Sequence, residues 1–417
     1  MNFATLNKFF RVRCGLDFKS HPQPCLALTS LVFAIFVVAV PIETFAQTPL
    51  QRPGNEVGNS PTPANPLTQT PLVDPNLSTN QSTDSTATQD NLQSPSAVQA
   101  QPSQFDPAAA FEHLKAICKI GPRVSASVGM KKQQRLIKAH FDSLGGKLYT
   151  QPFKVRSPYT QKFVQLDNII IQFHPERKKR LLLCCHHDTR PFPDADPINP
   201  RGTFIGANDG ASGVALLMEM GRHLKDMKGD FGVDLIFFDG EEFVIQRQRD
   251  PMFLGSTHFS NEYAAGKIGW KYEYGILVDL VADKDLQIYF EGNSLGYADG
   301  LTRSVWSVAK ELGVKEFIPE QRHKIRDDHL PLNSIARIQT VDIIDFDYPN
   351  PTAGNAYWHT QKDVVENCSA ESLGKVGKVV LEWVRQVQKL NSKKPNQGDG
   401  KKDGINNGAV EDSKQGG

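Results

Sequence analysis

Five short apolar runs constrain the fold class more than any other feature of this chain: NIIIQF (168–173), RLLLCC (180–185), VDLIFF (233–238), YGILVDLV (274–281) and TVDIID (340–345). Apolar residues follow one another in these runs without alternation. Strands covered on both faces read this way, and parallel sheets are built from such strands. Helical periodicity fills the intervals. Val214, Leu217, Met220 and Leu224 share one face of 213–227, and Val376, Val379, Val380, Trp383, Val384 and Val387 share one face of 372–390. An earlier helix is expected in QQRLIKAHFDSLGG, closed by Gly145 and Gly146. Strands alternating with helices imply an α/β sandwich with a central mixed, largely parallel sheet flanked by helices.

Composition confines this fold to part of the chain. Residues 47–103 are dominated by Pro, Ser, Thr, Asn and Gln and lack the apolar side chains a core needs, so they are expected to form a disordered linker; 393–417 have the same character and read as a tail. One folded unit remains, 104–392. Ahead of the linker, Lys8, Arg11, Arg13 and Lys19 precede an apolar stretch, broken by Pro41 and followed by Thr44, Phe45 and Ala46. That order is expected of a secretory signal over 1–46 or, uncleaved, of a membrane anchor. Either way the folded unit would be exported, periplasmic or secreted. Cleavage after Ala46 would leave Gln47 as the first residue.

Forty-seven basic side chains balance 46 acidic ones, so nothing points to a nucleic-acid partner. The local ERKKR (176–180) reads as a solvated turn. Of the six cysteines, Cys118, Cys184, Cys185 and Cys368 belong to the folded unit; no disulfide pairing can be assigned from sequence, and Cys184 and Cys185 read as buried small apolar residues within a strand.

The chemistry gathers where the apolar runs end, the edge at which open α/β sheets bind ligands. His186 and His187 follow the second run, and Asp239, Gly240, Glu241 and Glu242 the third; Asp279 ends the fourth. GANDGASG (206–213) sets Asp209 directly before a helix, where a carboxylate can also serve as an N-cap. RDDHLPLN supplies Asp327, Asp328 and His329, and YWHTQKD supplies Trp358 and His359. Several acids and two or more histidines on one edge, with Arg190 and Arg326 as the nearest cations, leave a charge imbalance that a divalent metal would resolve. Carboxylates with imidazole suit zinc. A second glutamate beside a metal-binding one is then placed to move protons, its affinity tuned by Asp279 and Asp327.

Taken together, these segments resemble the zinc-dependent M28 aminopeptidase superfamily, and more closely its glutaminyl-peptide cyclotransferase branch. The marks are CHHD with Cys185 and His186, GANDGASG with Asp209, LIFFDGEE, GSTH (255–258), LVDL around Asp279, DDHLP (327–331) and WHT (358–360). The resemblance implies a zinc-exopeptidase-like sandwich holding one zinc on Asp209, Glu242 and His359. It implies Glu241 as proton shuttle with Asp279 and Asp327 as its hydrogen-bond partners, and Trp358 and His186 at the substrate pocket. The implied substrates are peptide and protein N-termini, with N-terminal glutamine converted to pyroglutamate and ammonia released. In the alternative aminopeptidase pattern His186 and Asp279 join a second zinc, Asp209 bridges the two, and Glu241 activates water. A peptidase fold kept as a non-catalytic binding module would have lost ligands, and Asp209, Glu242 and His359 are all present. Asp327 favours the cyclase branch. Two features depart from it: the tryptophan carried after the glutamate pair is absent, with Arg247 near that place, and the loop DYPNPTAGNAYWHT is long.

Overall fold

The computed structural model describes residues 104–246, 249–349 and 356–392. The expected signal or anchor (1–46), linker (47–103) and tail (393–417), and Arg247, lie outside the described residues.

In chain order the elements are α1 (Pro107–Cys118), α2 (Val128–Leu144), β1 (Lys147–Arg156), β2 (Phe163–Phe173), β3 (Lys179–His186), α3 (Ala211–Gly221), β4 (Gly232–Phe238), α4 (Leu254–Ala264), β5 (Lys271–Asp279), β6 (Ile288–Phe290), α5 (Gly292–Glu311), β7 (Phe317–Gln321), α6 (His329–Ser334), β8 (Thr340–Ile344) and α7 (Ala370–Ser392). The main sheet runs β1-β2-β4-β3-β5-β8. Strands β4, β3, β5 and β8 are parallel neighbours, while β2 pairs antiparallel with β4 and with β1. Mixed and largely parallel, the sheet matches the expectation, and β6 and β7 form a separate two-stranded ribbon.

All five apolar runs are strands, and the absence of alternation has a simple cause. Leu181, Leu183 and Cys185 of β3 face one apolar cluster, which takes in residues of α1, α2, α3, α5 and α7. Leu182 and Cys184 face the other, with Phe259 of α4 and Leu332 of α6. Successive side chains point to opposite faces, and both faces are covered. The two cysteines are free and fully buried, as are Cys118 and Cys368 to within a few per cent.

Helix ends follow their local chemistry. The Ser127 side chain accepts from Met130 N–H at the start of α2, and Gly145, at φ 73°, closes it in the left-handed conformation that glycine tolerates. Helix α3 stops at Gly221, short of the expected span to Met227; Leu224 still enters the core from the turn beyond it. Strand β1 escaped the sequence reading because it is an edge strand: Phe153 alone in it is buried, so no continuous apolar run marks it.

The ERKKR segment is corrected at its last residue. Arg180 is not solvated but fully buried. Its Nε donates to Asp234 Oδ1 at 2.8 Å and its Nη1 to the carbonyls of His174 (2.9 Å) and Arg177 (3.0 Å). The Tyr272 hydroxyl and Gln172 Nε2 donate to the other Asp234 oxygen. Burial alone would drive these charges out, and only this saturation holds them. Among the described residues no helix is long and apolar enough to cross a membrane.

Replacing Arg180 by Met, which leaves Asp234 buried without its cation, is expected to lower unfolding free energy by about 3–5 kcal/mol, read as a fall in the urea midpoint at unchanged slope. A loss below about 1 kcal/mol would contradict this account of the pair.

Candidate active site

Four parallel strands deliver their C-terminal ends to one edge, and the loops leaving that edge carry the acids. His186 closes β3, Asp279 closes β5, and β4 runs into Asp239-Gly240-Glu241-Glu242. Asp209 precedes α3 across the turn at Gly210, where φ is 87° and an added Cβ would lie 2.7 Å from Asp188 O and 3.1 Å from His186 Cε1, so only glycine fits. Gly210 is also the N-cap of α3, and no side chain caps it. The alternative reading of Asp209 as an N-cap is therefore set aside: its carboxylate points into the cluster.

Asp209, Glu242 and His359 converge, all of them buried. His359 Nε2 lies 3.1 Å from Glu242 Oε1 and 3.3 Å from Asp209 Oδ2. Asp209 Oδ2 has no hydrogen-bond partner. A tetrahedral zinc with bonds of about 2.0–2.1 Å sets its ligand atoms about 3.3–3.5 Å apart. The spacing, the carboxylate and imidazole donors and the unsatisfied oxygen all fit that ion. His186, Asp209 and Asp279 form a second trio through the shared Asp209, with His186 Nε2 at 3.3 Å from Asp209 Oδ1 and 3.2 Å from Asp279 Oδ1.

Electrostatics distinguish the two adjacent glutamates. Burial pushes the Glu242 carboxyl up, but the Arg190 guanidinium and His359 outweigh it and hold the group well below the usual glutamate range. Arg190 Nη1 donates to Glu242 Oε2 at 2.8 Å. Glu241 has no such partner among the described residues: burial, reinforced by Glu242, Asp327 and Asp328, raises it well above that range, with His186 opposing. Burial lowers the His359 imidazole, yet Glu242, Asp194 and Asp209 carry it to about 10. The proton held there is the one a bound cation would displace.

A cleft of about 330 Å³ opens above this floor, lined by Asp209, Glu241, Glu242, Asp279 and Asp327 together with Met252, Ile344, Phe346, Trp358, Lys324, Ile325 and Arg326. Six of the eight site residues expected from sequence line this cleft, and the seventh, His359, is buried beneath it against Asp209 and Glu242. The eighth, His186, is corrected: it does not line the cleft but lies buried behind it, between Asp209 and Asp279. A second correction concerns the tuning of Glu241. Among the described residues no hydrogen bond joins Glu241 to Asp279 or Asp327; Asp327 acts on it through charge, while Asp279 accepts from His186 and from Leu280 N–H (2.9 Å). His187 and His329 turn inward, the first against the Phe238 carbonyl (2.7 Å) and the second between Glu291 (3.2 Å) and Asp342 (3.4 Å).

Four supporting residues went unassigned in the sequence. Asp188 accepts from the backbone N–H groups of Glu241 (3.2 Å) and Glu242 (3.0 Å), fixing the turn that presents both glutamates. Asp363 does the same for Asn208 (2.7 Å) and Asp209 (3.1 Å). Asp194 takes two bonds from Arg190, at 2.7 and 2.9 Å, and sits 3.3 Å from His359 Nδ1. Arg190, noted only as a nearby cation, is the buried counter-charge of Glu242. Asp188 is the acid of the HHD stretch, Arg190 lies two residues beyond it, and Asp363 closes YWHTQKD, so membership of these stretches was the available signal; Asp194 carries none. His359 itself is held at φ 56°, an unusual backbone for a non-glycine residue and one that the surrounding contacts must enforce.

A mixed sheet with a carboxylate–imidazole centre at its C-terminal edge defines a zinc-exopeptidase-type α/β protein. The model of peptidase family M28 matches residues 168–384, and the chain belongs to that family. Glutaminyl cyclase from Fimbriiglobus ruber shares the fold with a TM-score of 0.64 and 36% identity, over 70% of this chain and 98% of that one. A Zn-dependent exopeptidase from Parabacteroides distasonis gives a TM-score of 0.62 and 33% identity, over 68% and 99%. The glutaminyl-peptide cyclotransferase of Gloydius blomhoffii is 24% identical over 269 residues, covering 57% of this chain and 69% of its own.

If Asp194 orients His359 toward a metal, Asp194→Ala should weaken zinc binding about 10- to 100-fold in a competition titration with a chromophoric chelator, with the far-UV circular dichroism unchanged. Undiminished affinity would remove Asp194 from the support of the site.

Proposed function

We propose that residues 104–392 form a glutaminyl-peptide cyclotransferase domain, which converts the N-terminal glutamine of peptides and proteins to pyroglutamate. Its similarity to glutaminyl cyclases supports the assignment. The observation that carries it is the buried carboxyl of Asp327 on the cleft wall beside Glu241 and Asp279. Three carboxyl groups outside the Asp209–Glu242–His359 trio can hold and return a proton without leaving the cleft.

Asp209, Glu242 and His359 would hold one zinc ion, which when bound supplies polarisation of the substrate's γ-carboxamide carbonyl. The substrate's α-amine, in its neutral form at a pH near its ordinary value of about 8, attacks the carbonyl carbon (Cδ) of its own side-chain carboxamide. A C–N bond forms to close the five-membered ring. Glu241 accepts the proton that the amine loses and returns it to the departing nitrogen; the C–N bond to that nitrogen breaks and ammonia leaves. A carboxyl already raised by burial is suited to both halves of this transfer. Asp327, raised by burial and by Asp279 and Asp328, stays protonated readily on the cleft wall. Trp358, Phe346, Ile344 and Met252 supply apolar walls that limit water, the competing nucleophile. Because nucleophile and electrophile belong to one residue, orientation contributes much of the rate.

The second trio could take another zinc, as in the di-zinc aminopeptidase reading, and similarity to an exopeptidase keeps hydrolysis as the alternative. An exported location, with or without an anchor, is part of this proposal and rests on the sequence of residues 1–46.

Glu241→Gln should lower kcat for cyclisation of a Gln-Ala-type peptide about 10²- to 10⁴-fold while retaining the wild-type zinc content. A variant that keeps near-wild-type kcat would contradict the shuttle role.

A further inference from the structure

The cleft is acidic on its floor but not at its mouth. Lys324 and Arg326, both exposed, line it on either side of Ile325. The segment that carries them is anchored from beneath: Ile325 N–H donates to Glu291 Oε1 at 2.8 Å, and the Ile325 carbonyl accepts from Asn293 Nδ2 at 2.6 Å. Glu291 is itself buried and paired with His329. Backbone held in this way fixes where the two cations emerge.

Neighbouring cations in QRHKIRDDH are already committed. Arg322 and His323 each lie 2.9 Å from an Asp347 oxygen. Lys324 and Arg326, by contrast, have no carboxylate partner among the described residues, and the Arg326 guanidinium lies over the Phe253 ring, 6.0 Å from its centroid. Two anchored, unpaired positive charges at the mouth of a peptide cleft are a binding feature still lacking its anion.

The direction of the substrate supplies one. On the proposed reading the N-terminal residue lies over the floor, its α-amine toward Glu241. The rest of the peptide then leaves through the mouth, where Lys324 and Arg326 are among the lining residues. We propose that these two residues select peptides bearing an Asp or Glu side chain immediately after the N-terminal glutamine. The inference rests on the cyclotransferase reading and adds the substrate class to it.

The test compares kcat/KM for three amidated peptides, Gln-Glu-Ala-NH2, Gln-Ala-Ala-NH2 and Gln-Lys-Ala-NH2, in wild type and in the double variant Lys324→Glu/Arg326→Glu. Exposed ion pairs set the scale: wild type should favour the Glu over the Lys peptide about three- to tenfold at low salt, with most of the preference lost at about 0.5 M salt, where screening shortens to a few ångströms. The charge-reversed variant should invert the order. Single variants Lys324→Gln and Arg326→Gln, each a mild surface change, should give intermediate ratios and keep the test open if the double variant folds poorly. A Glu-to-Lys ratio near one in wild type, or one unmoved by the substitutions, overturns the proposal while leaving the cyclotransferase reading intact. Failure of every peptide to cyclise overturns both. A preference seen only for free-acid Gln-Ala over its amide assigns the cations to a terminal carboxylate and overturns the side-chain selection.

Discussion

Everything at the functional edge depends on confining like charges where water cannot screen them. Asp209, Glu241, Glu242, Asp279 and Asp327 crowd one end of the sheet, all buried or nearly so. Carboxylates in such a place either find cations or take up protons. Both outcomes are present, and their distribution is informative. Glu242 has Arg190 and stays ionised, ready to bind a metal; Glu241 and Asp327 lack a counter-ion among the described residues and are pushed toward the protonated form. Two adjacent residues of one turn are thereby given different chemistry by the Arg190 and His359 that only one of them meets.

The scaffold explains why the arrangement is stable enough to exist. Parallel strands covered on both faces make a rigid frame, and the loops at their ends are tied back by carboxylates serving as structural acceptors. Asp188 grips the backbone of the glutamate pair and Asp363 that of Asp209. Asp194, held by Arg190, reaches across to His359, which arrives from a distant loop. Binding groups and supporting groups draw on the same residue types, and what a carboxylate meets, backbone N–H, another side chain or the cleft, separates them.

That ambiguity marks the limit of what could be read from the sequence. The five core strands were legible because apolar runs without alternation admit few other structures, and the site residues followed from their position at the ends of those runs. Edge strand β1 was not legible, since half-exposed residues leave no period to count. Arg180 looked solvated because its sequence neighbours are charged; its partner Asp234 is 54 positions away and unmarked. Arg190 and His186 were visible, yet their contacts were not. Whether a buried histidine lines a cleft or backs it, and whether an arginine touches a particular glutamate, depends on loop paths that local sequence does not encode. His187 and His329, adjacent to site residues, turn away from the centre for the same reason.

This chain sets two trios around Asp209, so the same floor can serve water attack on a peptide bond or attack by the substrate's own amine. Oxygen from solvent separates these outcomes directly. Residues 104–392, purified with zinc, can be incubated with Gln-Leu-Ala-NH2 in H2¹⁸O and the products followed by mass spectrometry. The cyclotransferase account predicts a peptide lighter by one ammonia, about 17 mass units, with no ¹⁸O and no free amino acid. Release of free glutamine carrying ¹⁸O in its new carboxylate, with the peptide left one residue shorter, would contradict it and assign the site to hydrolysis.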